Sequence, residues 1–175
     1  MTPPPDIDSL RAKLADFDGN AVSYLSETAA GFRDDPDFHL ACLHLMADLA
    51  PLIQRGASWI WLDHVRTAKT ITPAELDQLL PVLDQITDWG AALHLLQAFD
   101  HYPGGSTDPA QLARFFDTYL GHKRPFLRAW AVNALCRLAI YHTAFKPAAQ
   151  AAHADALKDP AASVRARARK ISLPD

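Results

Sequence analysis

An all-α chain is what this sequence predicts, on three observations. Helix-start signals recur along it: Thr72-Pro73-Ala74-Glu75, Asp108-Pro109-Ala110-Gln111, Asp35-Pro36 and Asp159-Pro160 each set an oxygen-bearing side chain before a proline. Such a side chain accepts from a backbone N–H of the first turn, and proline suits a position whose own N–H would have no partner. Apolar residues then recur with helical spacing, as in Leu76, Leu79, Leu80, Leu83 and Ile86, or Leu112, Phe115, Phe116, Tyr119 and Leu120. Val, Ile and Thr are scarce and no stretch alternates for more than a few residues, so a sheet has no support.

The pattern gives about nine to ten helices. Residues 1–6, with three prolines in a row, read as a frayed tail. Helices follow near 8–17, 21–32 and 37–53. The cluster Asp34, Asp35 and Asp37 suits the positive end of the third and lacks the spacing of a calcium loop. A helix near 58–68 carries Ser58-Trp59-Ile60-Trp61-Leu62-Asp63. The next, near 73–86, starts at a Thr72/Glu75 capping box and should be kinked or split by Pro81. After 88–100, the stretch Tyr102-Pro103-Gly104-Gly105-Ser106-Thr107 reads as a flexible loop. Helices near 109–121, 125–141, 147–158 and 160–171 complete the chain.

A repeat organises these helices. Leu120 and, seven residues on, Leu127-Arg128-Ala129-Trp130-Ala131 match Leu157 and Val164-Arg165-Ala166-Arg167-Ala168 at an offset of 37. Ile86 with Leu93-His94 precedes this pattern by 34, and Pro73, Ala74 and Leu76 map onto Pro109, Ala110 and Leu112 at 36. One two-helix unit of this size cannot bury its apolar faces alone, so neighbours must stack into a solenoid. The expectation is a single α-solenoid domain over 1–175, with its clearest repeats at 72–172. Residues 20–71 form a degenerate region in which 55–71 is an insertion or extra helix.

The last two helices resemble the HEAT-repeat family of armadillo-type solenoids, through Leu157-Lys158-Asp159-Pro160-Ala161-Ala162-Ser163-Val164-Arg165-Ala166. A second copy runs from Phe126-Leu127-Arg128-Ala129-Trp130 to Leu135. The resemblance implies a right-handed stack of helix pairs. It also implies a non-catalytic scaffold or adaptor that binds a protein or peptide partner through its helix surface. Stacking puts Arg128 and Arg165 in one column, with His94 and His39 further back. Either these arginines bind anions, or, as the family implies, Arg128 or Arg165 pairs with an Asp of a neighbouring turn, for which Asp159 is available. The candidate binding residues are Arg124, Arg128, Arg165, Arg169, Trp59, Trp89 and Trp130.

Trp59 and Asp63, four apart, share one helix face. This spacing is similar to the Trp-x-x-x-Asp of the HEAT-like alkylpurine DNA glycosylases. That likeness implies Asp63 as catalytic carboxylate, Trp59 as stacking partner and Trp89 or Trp130 as a second wall. The plainer reading makes Trp59, Leu62 and Val65 core and leaves Asp63 exposed or bonded to Arg66. The glycosylase family has arginines just after a tryptophan, where this chain has Trp89-Gly90-Ala91-Ala92.

Composition favours the adaptor. The 17 Lys+Arg and 20 Asp+Glu are unevenly placed, with 6 basic and 16 acidic residues up to Ala113 and 11 and 4 thereafter. In a stack, sequence order becomes spatial order, so the expectation is a molecule with an acidic and a basic end, and the acidic part disfavours nucleic acid. No apolar run approaches the length of a membrane span and the start lacks signal-peptide features, which points to a cytoplasmic protein without a membrane partner. Cys42 and Cys136 lie in apolar helical stretches and read as buried free thiols, although His39 stands three residues before Cys42. Eight histidines include no His-x-x-x-His or Glu-x-x-His pair, and His39 and His44, five apart, turn away from each other on a helix, so neither metal nor cofactor is expected.

Overall fold

The computed structural model describes residues 7–32, 37–106 and 108–173. These are all-α, without a strand: α1 (Ile7–Ala15), α2 (Val22–Gly31), α3 (Phe38–Leu45), α4 (Pro51–Ala68), α5 (Pro73–Leu79), α6 (Trp89–Ala98), α7 (Pro109–Leu120), α8 (Pro125–Tyr141), α9 (Lys146–Ala156) and α10 (Ala162–Ala168). The tail 1–6, Asp34, the Asp35-Pro36 start and Thr107 lie outside the described residues.

The capping signals act as their chemistry dictates. Thr72 Oγ1 accepts from the Glu75 N–H while the Glu75 carboxylate accepts from the Thr72 N–H, and Asp108 accepts from the Gln111 N–H at 2.9 Å. Pro81 ends α5, and the chain continues as a 3-10 turn over Leu80–Gln85. Two boundaries differ from expectation. The break expected between 53 and 58 falls at 46–50, because Pro51 is the first residue of α4. Its N-cap, Ala50, has no side-chain oxygen to cap the first turn, and Asp48 Oδ1 accepts from the N–H of Ala50 itself at 2.8 Å. The last helix starts at Ala162, two residues later than Asp159-Pro160 suggested, and Asp159 Oδ1 accepts from the Ala161 N–H. Asp37 stands at the N-cap of α3 but does not cap it with its side chain.

The chain divides into two compact units, residues 1–94 and 95–175, at a point inside α6. In the first, α1, α2 and α3 pack on α4, and α5 packs on α3. Leu10, Leu14, Leu25, Leu43, Met46, Trp61, Leu62 and Leu76 are fully buried there. Gly56 makes the approach to α4 possible, since a Cβ at that position would stand 2.9 Å from Leu14 Cδ2 and 3.2 Å from Leu25 Cδ2. In the second unit α8 is the centre, contacted by α7, α9 and α10, over a core that includes Phe99, Phe116, Leu127 and Leu138. Residues 102–106, expected as a free loop, are fastened. The buried Tyr102 meets His142 Nε2 through its hydroxyl at 2.7 Å, and that hydroxyl also accepts from the Ser106 N–H. The first unit's sequence holds 6 basic and 14 acidic residues, and the second's 11 and 6.

Candidate functional site

Arginine–aspartate pairs tie helices together at three junctions. In the second unit Arg128, one turn into α8, sends Nε to Asp159 Oδ2 and Nη2 to Asp159 Oδ1, both at 2.8 Å. Its Nη1 donates to the His122 carbonyl six residues back, and Arg165 in α10 repeats that bond with the Asp159 carbonyl at 2.6 Å. The two arginines therefore occupy equivalent positions, as the offset of 37 predicts. The neighbouring guanidinium and the Ala161 N–H hold the Asp159 carboxyl below the usual carboxylate range.

The first unit repeats the device where no repeat was visible. Arg55 in α4 reaches Asp88, which precedes α6, with Nε–Oδ1 2.9 Å and Nη2–Oδ2 2.6 Å, and Asp88 Oδ1 also accepts from the Ala91 N–H. Arg11 in α1 reaches Asp48, ahead of α4, at 2.6 and 3.3 Å. At each junction one carboxylate serves both a fork of arginine N–H groups and a backbone N–H two or three residues on, a geometry that neither Lys nor a single hydrogen bond could replace. Gln54 adds to the second of these junctions: Nε2 donates to the carbonyls of Asp48 and Gln85, and Oε1 accepts from the N–H groups of Thr87 and Asp88.

This arrangement accounts for Trp89-Gly90. The Arg55 guanidinium lies over the half-exposed Trp89 ring, 5.0 Å from its centre, and a Cβ on residue 90 would stand 2.7 Å from Arg55 Nε. Glycine after this tryptophan admits an arginine that arrives from another helix. His94 meets Ser58 Oγ through Nδ1 at 2.9 Å, and Ser58 also donates to the Arg55 carbonyl, so Nδ1 of His94 is the donor of that pair. Burial lowers the His94 pKa to about 4. His39, expected in the same column, lies elsewhere, in α3 against His64.

His39 and His64 belong to an open cavity of about 430 Å³ in the first unit, lined by Ser26, Phe38, His39, Ile60, Asp63, His64 and Thr67 among others. The two imidazoles stack with centres 3.4 Å apart. His64 Nε2 lies 3.3 Å from Oε1 of the buried Glu75, which also accepts from Trp61 Nε1 and from the Thr72 N–H and hydroxyl. Burial would push the Glu75 pKa up, but the donors from His64, Thr72 and Trp61 prevail and hold it at about 2. Burial, followed by the neighbouring His64, lowers the His39 pKa to about 4. Asp63 is exposed at this cavity. Trp59 is half-buried, and neither it nor Trp89 lines the cavity; the aromatic surface there is Phe38 and the two imidazoles. Trp61 is the tryptophan of this helix that enters the core. The His39–His64 pair was invisible in the sequence, where the residues lie 25 apart on separate helices.

In the second unit, a groove of about 270 Å³ runs between α8 and α10, lined by Phe126, Ala129, Trp130, Ser163, Ala166, Arg167 and Lys170. Phe126 is 62 % exposed, and the Arg167 guanidinium carbon stands 3.6 Å from the centre of the half-buried Trp130 ring. Arg124 and Arg169 are exposed but do not line the groove. Both cysteines are buried free thiols, Cys42 with its pKa raised by burial and Cys136 with its pKa raised to about 11. Among the described residues no cluster of three His, Cys, Asp or Glu is placed to hold a metal ion, and no helix is long and apolar enough to cross a membrane. Compared with protein-family models, with curated proteins and with solved structures, the chain matches none.

Proposed function

We propose that this chain is a HEAT-like repeat scaffold, a right-handed α-solenoid that binds a partner protein or peptide in the cytoplasm without catalysing a reaction. The observation that carries this reading is the recurrence of one junction, in which an arginine of one helix is clasped by the aspartate that precedes a later helix. It occurs at Arg11–Asp48, Arg55–Asp88 and Arg128–Asp159. A junction repeated at intervals is how a stack of quasi-equivalent helix pairs holds its register, and stacks of this kind present extended surfaces. The cytoplasmic assignment rests on the two buried thiols left unpaired.

Photocrosslinking in cells tests the reading, with a benzophenone amino acid placed at Phe126 and, separately, at Leu49, which is 97 % exposed. The scaffold reading expects discrete protein adducts from at least one position. Adducts to nucleic acid alone would overturn it, as would release of an alkylated base from duplex DNA that is lost in Asp63→Asn.

A further inference from the structure

The groove between α8 and α10 combines apolar surface with two cationic side chains. Its apolar part is Phe126, Ala129, Trp130 and Ala166; its polar part is Ser163, Arg167 and Lys170, and no acidic side chain lines it. Among the described residues neither Arg167 nor Lys170 has a carboxylate partner. Of the acidic groups of this unit, Asp159 is held by Arg128 and Asp108 caps α7, while Asp100, bonded by the Asn133 side-chain amide, lines a separate cavity that Lys170 also lines. The Arg167 guanidinium carbon lies over the Trp130 ring, a contact that orients the guanidinium, whose fork of N–H groups suits a carboxylate.

The geometry points to a docking site for an acidic peptide segment, with one apolar side chain seated against Phe126 and Trp130 and flanking carboxylates on Arg167 and Lys170. This inference rests on the scaffold reading and names the partner chemistry of one of its surfaces. Charge complementarity argues for that occupant, since a groove with two cations, no anion and an aromatic floor matches an acidic chain that carries an apolar anchor. A single-stranded nucleic acid fits less well. Bases need open aromatic faces, and the guanidinium already covers one face of Trp130.

The test is selection of a phage-displayed library of random twelve-residue peptides on the full chain. Affinities of the selected peptides are then measured by anisotropy with fluorescein-labelled synthetic copies. Enriched sequences should carry Asp or Glu around one Leu, Met, Phe or Trp. Affinity should fall roughly tenfold or more in Trp130→Ala and in the double variant Arg167→Glu/Lys170→Glu, as expected for an anchor and its charged rim. A copy of the best peptide with Lys in place of its acidic residues should bind the double variant better than the original does. Circular dichroism and melting show which variants keep the native fold. If Trp130→Ala disturbs packing, the double variant and its charge-swapped peptide decide.

Enriched peptides without acidic residues, or binding indifferent to both variants, would overturn the proposal and leave the scaffold reading standing with its contact surface elsewhere. No enrichment at all would also overturn it. Binding of a labelled twelve-nucleotide oligo-dT that depends on Arg167 and Lys170, with no peptide binding, would remove both.

Discussion

The junctions at Arg55–Asp88 and Arg128–Asp159 are the same bidentate bond in different surroundings. In the first unit Asp88 is 5 % exposed, Gln54 braces the turn before it, and Gly90 clears the space for the incoming guanidinium. In the second unit the aspartate is less deeply buried, although its arginine is more so, 16 % exposed against 21 % for Arg55. Asp159 is 11 % exposed, and its backbone carbonyl is held by Arg165 from the next helix. Geometry is thus preserved where sequence is not. The same requirement, a carboxylate fixed ahead of a helix, is met once by a glutamine-braced turn and once by the Asp-Pro-x-x-x-Val-Arg pattern. The junction with the more buried, glutamine-braced aspartate should therefore carry more of the stability.

The largest expected effect is Asp88→Ala. It strands the Arg55 guanidinium and removes the acceptor of the Ala91 N–H, and it should cost about 4 kcal/mol in urea unfolding. A loss no greater than that of Asp159→Ala would break the contrast between the junctions. Next is acidification. His39 and His94 stay neutral in the fold down to about pH 4, whereas the unfolded chain takes up these protons near 6.5. Below 6.5 the unfolded state binds more protons, so stability is full above that pH and declines as pH falls toward 4. Hydrogen exchange read separately over 7–94 and 95–173 should show the decline in the first unit, and His94→Gln should reduce it to the share that His39 contributes. Glu75, held at about 2, adds a second loss only as pH falls from about 4.5 toward 2.

Gly90→Ala should cost about 2 kcal/mol, since the added Cβ displaces Arg55 from Asp88. Recovery of that loss in the Arg55→Ala background would show that the glycine serves the arginine. Asp159→Ala should cost about 1–2 kcal/mol through its lost hydrogen bonds. Arg11→Ala, at the most exposed of the three junctions, should change the melting temperature least.

The all-α class, the Thr72 and Asp108 caps, the interruption at Pro81 and the equivalence of Arg128 and Arg165 were legible in the sequence. Each is a local or strictly periodic signal. Arg55 was not, because a start without an oxygen before its proline hid the beginning of α4 and left this arginine in an apparent insertion. The nearest carboxylate, on Asp48, takes the N–H of Ala50 itself and not one inside the first turn, so the simplest capping rule does not find it. The groove between α8 and α10 was half legible. Trp130 stood out among the candidates, but Phe126 and its pairing with α10 depend on how two helices meet, which no single-helix pattern records.

One property of the clasps bears on how such a chain can change length. The residues they join are 37, 33 and 31 positions apart in the three cases, yet the bond is alike at each. The fastened points are constant and the span between them is elastic. Loop-closure entropy grows only slowly with span, so insertions between a clasp arginine and its aspartate should be absorbed. A single deletion inside Asp159-Pro160-Ala161, where the carboxylate must face the arginine and the backbone N–H together, should not.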